Sequence, residues 1–290
     1  MRRTRILPAV VLCLFSLWAI NPQAMAQATD NSRAYREQGL AQFQSGQRED
    51  AVESFKRALG LQPDYADALN DLGAAYAALG RLQEAVEALN HAIRSRPDFA
   101  EAYYNLGTQY DKLGRSEEAI EALSQAIRLK PDYARAHNNL GIVYSKAGKY
   151  QEAVASLKRA VHVKPEWAEA YLHLAIAFYE AGQSREAIAP LKQAIRLNPR
   201  YAEAINSLGV VYAYLGKQKE ALESFRQAIR VRPDYAAAHY NLGVVNLALQ
   251  QKAAAVEQYA RLKTLSQDLA DKLYRGIYQG MILTFTVPRG

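Results

Sequence analysis

The sequence predicts an all-α protein, a solenoid of helix-turn-helix repeats closed by a C-terminal capping helix. Three observations predict it. The sequence contains a repeated unit with a spacing of 34 residues, which is clearest in residues 100–133. Apolar residues in that unit recur at three-and-four spacing in two blocks, which indicates two amphipathic helices. The unit closes at Pro131, because a helix does not continue through a proline ring.

The landmarks of this unit recur in register along most of the chain. Each unit has a small residue in its first helix, where two helices can approach closely, and most close with a proline. Gln267 stands where a seventh proline would be, so the last unit is atypical. The small residues are Gly39, Gly73, Gly107, Gly141, Ala175, Gly209 and Gly243. The seven predicted repeats are 32–65, 66–99, 100–133, 134–167, 168–201, 202–235 and 236–267.

This unit resembles the tetratricopeptide repeat. The matching residues are Leu106, Gly107, Tyr110, Ala119, Ala126 and Pro131. The resemblance implies a right-handed superhelix and a role in binding other proteins. It covers the repeats and brings no catalytic domain with it.

The first 26 residues differ in composition from the rest and predict a secretory signal peptide. Three arginines precede an apolar run over residues 6–20, and Ala24 and Ala26 supply the small residues of a cleavage site. Cleavage after Ala26 would place the protein in the periplasm or outside the cell. The alternative is a membrane anchor that is not cleaved, although the run is shorter than the roughly 20 residues of a spanning helix. Residues 27–31 are predicted to be a flexible lead.

Cleavage would also change the charge and the redox chemistry of the chain. It removes Cys13, the one cysteine, so the mature chain would form no disulfide. It lowers the formal net charge from +7 to +4, a mild excess that does not indicate a nucleic-acid partner. Cations at the ends of the second helices form a basic edge for which weak contact with anionic envelope components is expected. They are Arg94, Arg96, Arg128, Lys130, Lys164, Arg196, Arg230 and Arg232.

The C-terminal part is predicted to end the solenoid differently from its start. Residues 268–278 form a capping helix, with Asp268 as N-cap and Leu269, Leu273 and Ile277 on one face. Residues 279–290 form an apolar tail rich in strand formers. Such a tail either lies loose or folds back on the solenoid, or it adds a strand to the sheet of a partner.

No pattern of catalytic or metal-binding chemistry occurs in the sequence. There is no glycine-rich phosphate loop, no nucleophile elbow and no histidine pair at metal spacing. The sequence therefore predicts a protein that is not an enzyme and that uses no cofactor or metal.

Proteins that resemble this one bind their partners on a concave surface lined by the first helix of each repeat. Many of those positions in this chain carry amides, aromatic side chains or branched apolar side chains. An asparagine amide both donates and accepts, so it can pair with a peptide backbone of any sequence. The predicted peptide-binding groove comprises Tyr104, Asn105, Asn138, Asn139, Ile142, His173, Ile176, Tyr179, Asn206, Val210, Tyr214, Tyr240 and Asn241.

The predicted function is that of a non-catalytic adaptor of the cell envelope that binds extended peptides of a partner protein. Two other functions stay open. One is a structural spacer in a pilus, secretion or outer-membrane assembly complex, and the other is an accessory to a polymer-modifying enzyme. The carboxylate clamp of related cytosolic domains is not predicted, because no repeat has lysine at the fifth position or asparagine at the ninth.

Overall fold

The computed structural model describes residues 22–279 and 281–287, and these form an all-α helical repeat solenoid. Helices α1 to α14 pair into seven antiparallel hairpins, and α15 follows the last of them. The helices are α1 Pro22–Gln44, α2 Arg48–Leu61, α3 Ala66–Ala78, α4 Leu82–Ser95, α5 Ala100–Lys112, α6 Ser116–Leu129, α7 Ala134–Lys146, α8 Tyr150–Val163, α9 Ala168–Glu180, α10 Ile188–Leu197, α11 Ala202–Tyr214, α12 Gln218–Val231, α13 Ala236–Ala248, α14 Lys252–Leu265 and α15 Gln267–Gln279.

Most hairpins close through contact between a glycine of the first helix and a large side chain of the second. Gly141 of α7 lies against Leu157 of α8, and Gly209 of α11 lies against the ring of Phe225 in α12. A second glycine between the two helices, such as Gly148, has a φ of +73°, a left-handed conformation that glycine adopts without strain. From α3 to α13 the first helices begin 34 residues apart, which is the spacing of the sequence repeat.

The fifth repeat departs from this pattern in its second helix. α10 has 10 residues where the second helices of the other repeats have 14. Pro190 has no N–H to donate to the carbonyl of Glu186, and its ring crowds that carbonyl. The chain before it forms turns instead, in which Glu186 and Ile188 donate to the carbonyls of Gln183 and Arg185.

The N-terminal end differs from the prediction in one respect. Residues 27–31, predicted to be a flexible lead, are helical because α1 runs through them to Gln44. The first 21 residues of the predicted signal peptide lie outside the described residues. No helix among the described residues is long and apolar enough to cross a membrane.

α15 caps the solenoid, and its local structure corrects two details of the prediction. The hydroxyl of Ser266, rather than the carboxylate of Asp268, accepts a hydrogen bond from the first turn, at 3.5 Å from the nitrogen of Leu269. Asp268 pairs with Lys272 at 2.6 Å instead. The helix face that packs on the solenoid is formed by Ala270, Leu273 and Ile277, with Leu269 only partly buried. Leu273 lies against Gly243, where a second-helix residue lies in the earlier repeats.

The segment 281–287 after α15 folds back on the solenoid. It is extended but belongs to no sheet within the described part of the chain. Its Phe285 and Val287 pack against apolar residues of α11, α12 and α13. Of the alternatives predicted for the tail, the structure shows the one that folds back.

Candidate functional site

The inner surface of the solenoid is formed by the first helices of the repeats. Each first helix contacts the first helix of the next repeat, from α1 with α3 to α11 with α13. No two second helices of the described chain make such a contact. A curved stack has its closer-packed layer on the inside, so the first helices form the concave groove.

A ladder of side-chain contacts runs along this groove from one repeat to the next. It joins the fifth position of one first helix to the sixth position of the following one, always 35 residues later. Arg36 and Asp71 form an ion pair of 2.6 Å at the N-terminal end. The amide of Asn105 donates to Asn70 at 2.9 Å, that of Asn139 to the hydroxyl of Tyr104 at 3.4 Å, and that of Asn241 to Asn206 at 3.0 Å. His173 and Asn138 complete the series at 2.9 Å.

The sequence predicted seven of the ten residues of this ladder but not their pairing. The amide nitrogen of Asn139 donates to both Tyr104 and Thr108, whereas that of Asn105 donates one N–H to Asn70, so the Asn105 amide has further hydrogen-bonding capacity. The ladder therefore fixes the orientation of the amide and leaves it able to bind a ligand. Arg36 and Asp71, which close the ladder, were not among the predicted site residues, and only their 35-residue separation could have indicated them.

A cavity of about 370 Å³ opens in the groove at repeats four and five. Three predicted site residues line it, namely Ile142, His173 and Ile176. Its remaining lining consists of Ser145, Lys146, Tyr150, Leu157 and Glu180. The structure thus brings these predicted residues to one concave space that is lined by both apolar and polar side chains.

His173 is held in one chemical form by its surroundings. Burial lowers the pKa of its imidazole, and the charge of Glu169 opposes this only in part. The amide nitrogen of Asn138 donates to Asn139, so its oxygen faces His173 as an acceptor. The Nδ1 of a neutral His173 therefore carries the proton, and its Nε2 is an acceptor. Such an acceptor can take a hydrogen bond from a peptide N–H.

Two tyrosines stand beside this cavity on the side of the sixth repeat. The rings of Tyr179 and Tyr214 meet edge to face with their centroids 5.6 Å apart. Burial, followed by the proximity of Tyr214, raises the pKa of the Tyr179 hydroxyl. The side chain of Tyr214 is 65% exposed, which is unusual for a large aromatic residue. The pair offers an aromatic surface to a ligand in the groove.

At the C-terminal end the groove residues are covered, contrary to the expectation that they face water. Asn206 and Asn241 are fully buried, and Val210 and Tyr240 are almost so. The tail lies over this part of the groove. Asn241 accepts from the backbone N–H of Thr286 at 2.8 Å and donates to its carbonyl at 2.9 Å. Sequence reasoning did not place the tail here, because nothing local in residues 281–287 indicates which surface they cover.

The basic edge is engaged largely within the chain. In four repeats, the cation that follows the second helix lies over the aromatic ring that follows the next proline, a contact in which a ring face attracts a cation. The pairs are Arg96 with Phe99 at 3.6 Å, Lys130 with Tyr133 at 5.0 Å, Lys164 with Trp167 at 5.5 Å and Arg232 with Tyr235 at 4.8 Å. Arg96 and Arg232 also form ion pairs of 2.7 Å with Asp67 and Glu203.

The acidic side chains in the described part of the chain form ion pairs rather than a metal site. No three histidine, cysteine or acidic side chains there come together as a metal site. The acidic residues near the start of the second helices, such as Glu84 and Glu118, bind Arg81 and Arg115 beside them. These ion pairs lower the pKa of both carboxyl groups.

A family model matches most of the chain. The model describes the C-terminal domain of cilia- and flagella-associated protein 70, and it matches residues 18–238. Among curated proteins, no sequence matches the chain.

Several solved structures are similar to this one. The crystal structure of MamA is 28% identical, with a TM-score of 0.54, and the match covers 60% of this chain and 94% of that chain. YrrB, a tetratricopeptide-repeat protein with an unusual peptide-binding site, is 25% identical, with a TM-score of 0.57 and coverage of 64% and 96%. A tetratricopeptide-repeat protein from Parabacteroides merdae is 20% identical, with a TM-score of 0.64 and coverage of 85% and 98%, and shows the fold alone.

Proposed function

We propose that this chain is a non-catalytic adaptor that binds extended peptides in its concave groove. The chain belongs to the tetratricopeptide-repeat family represented by the C-terminal domain of cilia- and flagella-associated protein 70. The repeats and the similar structures support a protein-interaction scaffold with a protein or peptide partner. The mode of binding is the new element of the proposal. The peptide lies along the groove, and its backbone pairs with the asparagine ladder.

The observation that carries the proposal is the contact between Asn241 and Thr286. One side-chain amide pairs with both the N–H and the carbonyl of one residue in an extended segment. It does so while it keeps its bond to Asn206. The ladder and a bound peptide backbone are therefore compatible in this groove.

Asn105 occupies the same repeat position as Asn241, four repeats earlier. It makes the same bond to Asn70 that Asn241 makes to Asn206. Unlike Asn241 it is partly exposed, and no tail covers it. The cavity at Ile142 and His173 and the tyrosine pair continue the groove toward the sixth repeat. This stretch, which the tail reaches at Tyr179, provides a backbone-binding amide, a cavity and an aromatic surface in one line.

The test begins with selection of peptides from a random display library on the full chain. The selected peptides are synthesised and titrated by calorimetry against the parent chain and Asn105→Leu. Loss of a paired amide should weaken binding by about tenfold, the equivalent of roughly 1.4 kcal/mol. The matched control is Asn198→Leu, at an exposed asparagine beyond the end of α10, which should leave binding unchanged. Equal binding to the parent and Asn105→Leu would overturn the proposed mode.

The proposal places this adaptor in the cell envelope. It rests on the sequence of residues 1–26, whose arginines, apolar run and small residues have the order of an export signal. The uncleaved form of the same segment would tether the protein to the membrane instead. In either form the solenoid would meet envelope proteins.

A further inference from the structure

Residues 282–285 have the alternation of a strand that binds a surface with one face, and Thr286 and Val287 are both partly buried. Leu283, Phe285 and Val287 are partly buried, whereas Ile282 is 96% exposed and Thr284 is exposed as well. Successive side chains of an extended chain point to opposite sides. The three apolar residues therefore turn together toward the groove.

Each inward side chain of the segment has a separate contact in the solenoid. Leu283 lies where the Cβ of residue 276 would be, and Gly276 leaves that space free. The ring of Phe285 stacks on Phe225 with centroids 6.2 Å apart and an angle of 23° between the planes. Val287 lines a small gap together with Ile176, Tyr179 and Val210. The segment thus runs from α15 to Tyr179, a residue of the predicted groove.

The backbone of the segment is bound at few points. Thr286 pairs with Asn241 through its N–H and its carbonyl, and its hydroxyl lies 3.2 Å from the same amide oxygen. Met281 donates to the carbonyl of Arg275 at 3.4 Å. No sheet pairing holds the described part of the segment. Its attachment therefore consists of three apolar contacts and one amide clamp, which are contacts that another extended peptide could make equally well.

We propose that residues 281–287 are a tethered ligand, which occupies the groove of repeats five to seven until an extended partner segment of the same chemistry displaces it. This inference rests on the proposed function. It adds the chemistry of the partner segment and a way in which the tail regulates its binding. The partner segment is uncharged at the contact and has apolar side chains at every second position. A residue with a free backbone N–H and carbonyl lies at the place of Thr286.

The charge and the covalent link of the segment support this assignment. Residues 281–287 contain no charged side chain, in a chain with 22% charged residues. The segment is joined to α15 by one residue, and a short link gives an effective concentration on the order of millimolar. A partner therefore competes with its own mimic, and its apparent affinity equals its intrinsic affinity multiplied by the fraction of chains whose groove is open.

The test uses a labelled synthetic peptide with the sequence of residues 280–290 and measures its binding by fluorescence anisotropy. The partners are the full chain, a chain that ends at Gln279, and that shortened chain with Asn241→Leu. The peptide should bind the shortened chain at least tenfold more tightly than the full chain, and Asn241→Leu should remove at least tenfold of that gain. Equal affinity for the full and shortened chains would overturn the inference.

A second pair of variants serves if the shortened chain does not fold. Thr286→Pro in the full chain removes the N–H that donates to Asn241. It should release the tail and increase peptide binding. The matched control is Thr284→Pro, at an exposed residue whose N–H donates to no other described residue, and it should leave binding as in the parent. Equal effects of the two prolines would also contradict the inference.

The outcome separates this inference from the proposed function. If the tail peptide binds none of these chains while library-selected peptides bind the open groove through Asn105, the tethered ligand is wrong and the adaptor stands. If neither kind of peptide binds, both proposals fall.

Discussion

Gly141 and Leu157 make the contact that closes the fourth hairpin. A Cβ atom on residue 141 would overlap Cγ of Leu157, and it would lie 3.0 Å from Cδ1. Leu157 is 1% exposed, and it also lines the cavity of about 370 Å³ in the groove. The close-contact partner of Gly141 is therefore Leu157, one turn after Ala153 in α8.

Gly141→Ala should destabilise the protein by about 1–3 kcal/mol, because one added methyl group overpacks a filled contact. Chemical denaturation followed by circular dichroism measures the change. The matched control is Gly60→Ala in α2, where an added Cβ meets no atom within 4 Å. It should stabilise the protein by about 0.5–1 kcal/mol through helix propensity. A Gly141→Ala variant that unfolds like the parent would contradict the assigned contact.

Tyr179→Ala should weaken the binding of a groove peptide by about 2 kcal/mol, or roughly thirtyfold, because aromatic residues at interface centres carry much of the binding energy. Its helical content should stay as in the parent. Titration calorimetry and circular dichroism give the two values.

The control for Tyr179 is Arg128→Ala, on the basic edge outside the groove. This change should alter mainly the salt dependence of binding. A larger loss from Arg128→Ala than from Tyr179→Ala would move the binding surface to the basic edge.

His173 should make stability depend on pH. Burial lowers its pKa in the folded chain, so between that pKa and the unfolded value of about 6.5 the unfolded chain binds more protons. Its contribution is therefore complete above about pH 6.5 and is lost as the pH falls through the folded pKa. The difference in unfolding free energy between the parent and His173→Gln should be larger at pH 7.5 than at pH 5. A difference that stays constant over this range would rule out the buried neutral imidazole.

The export prediction concerns the start of the mature chain. If Ala24 and Ala26 form the cleavage site, N-terminal sequencing of the exported protein should begin at Gln27, and the product should contain no cysteine. Replacement of Ala26 by a bulky residue should block processing. Recovery of a chain that retains Met1 in the membrane fraction would favour the uncleaved anchor.

The features that could be predicted from the sequence are those that a short pattern within each repeat determines. The prediction of an all-α solenoid with tetratricopeptide-like repeats is confirmed, since Gly141 and Pro131 each recur in phase and mark a contact or a helix end. Pro190 in the sequence indicates that α10 is shortened, but the regular repeat pattern predicts a second helix of the usual length there. The residue set of the groove stays a prediction.

Features that depend on packing between distant segments were not predictable. The bonds from Asn105 to Asn70 and from Asn241 to Asn206 require the stacking geometry of successive first helices. The position of Phe285 on Phe225 requires the direction in which the chain leaves α15. No local sequence pattern predicts the pairing of these asparagines or the position of Phe285.

Binding of a partner peptide in the groove is tested most directly by a photo-crosslinker at Tyr214, compared with one at Leu197. Both side chains are exposed, but Tyr214 stands beside Tyr179 in the groove and Leu197 ends α10, a second helix. In an extract of the native cell, the crosslinker at Tyr214 should capture one short contiguous peptide segment, identified by mass spectrometry. Tyr179→Ala should abolish that capture, and the crosslinker at Leu197 should give none. Capture from Leu197 but not from Tyr214 would contradict the account, because the partner would then bind outside the groove.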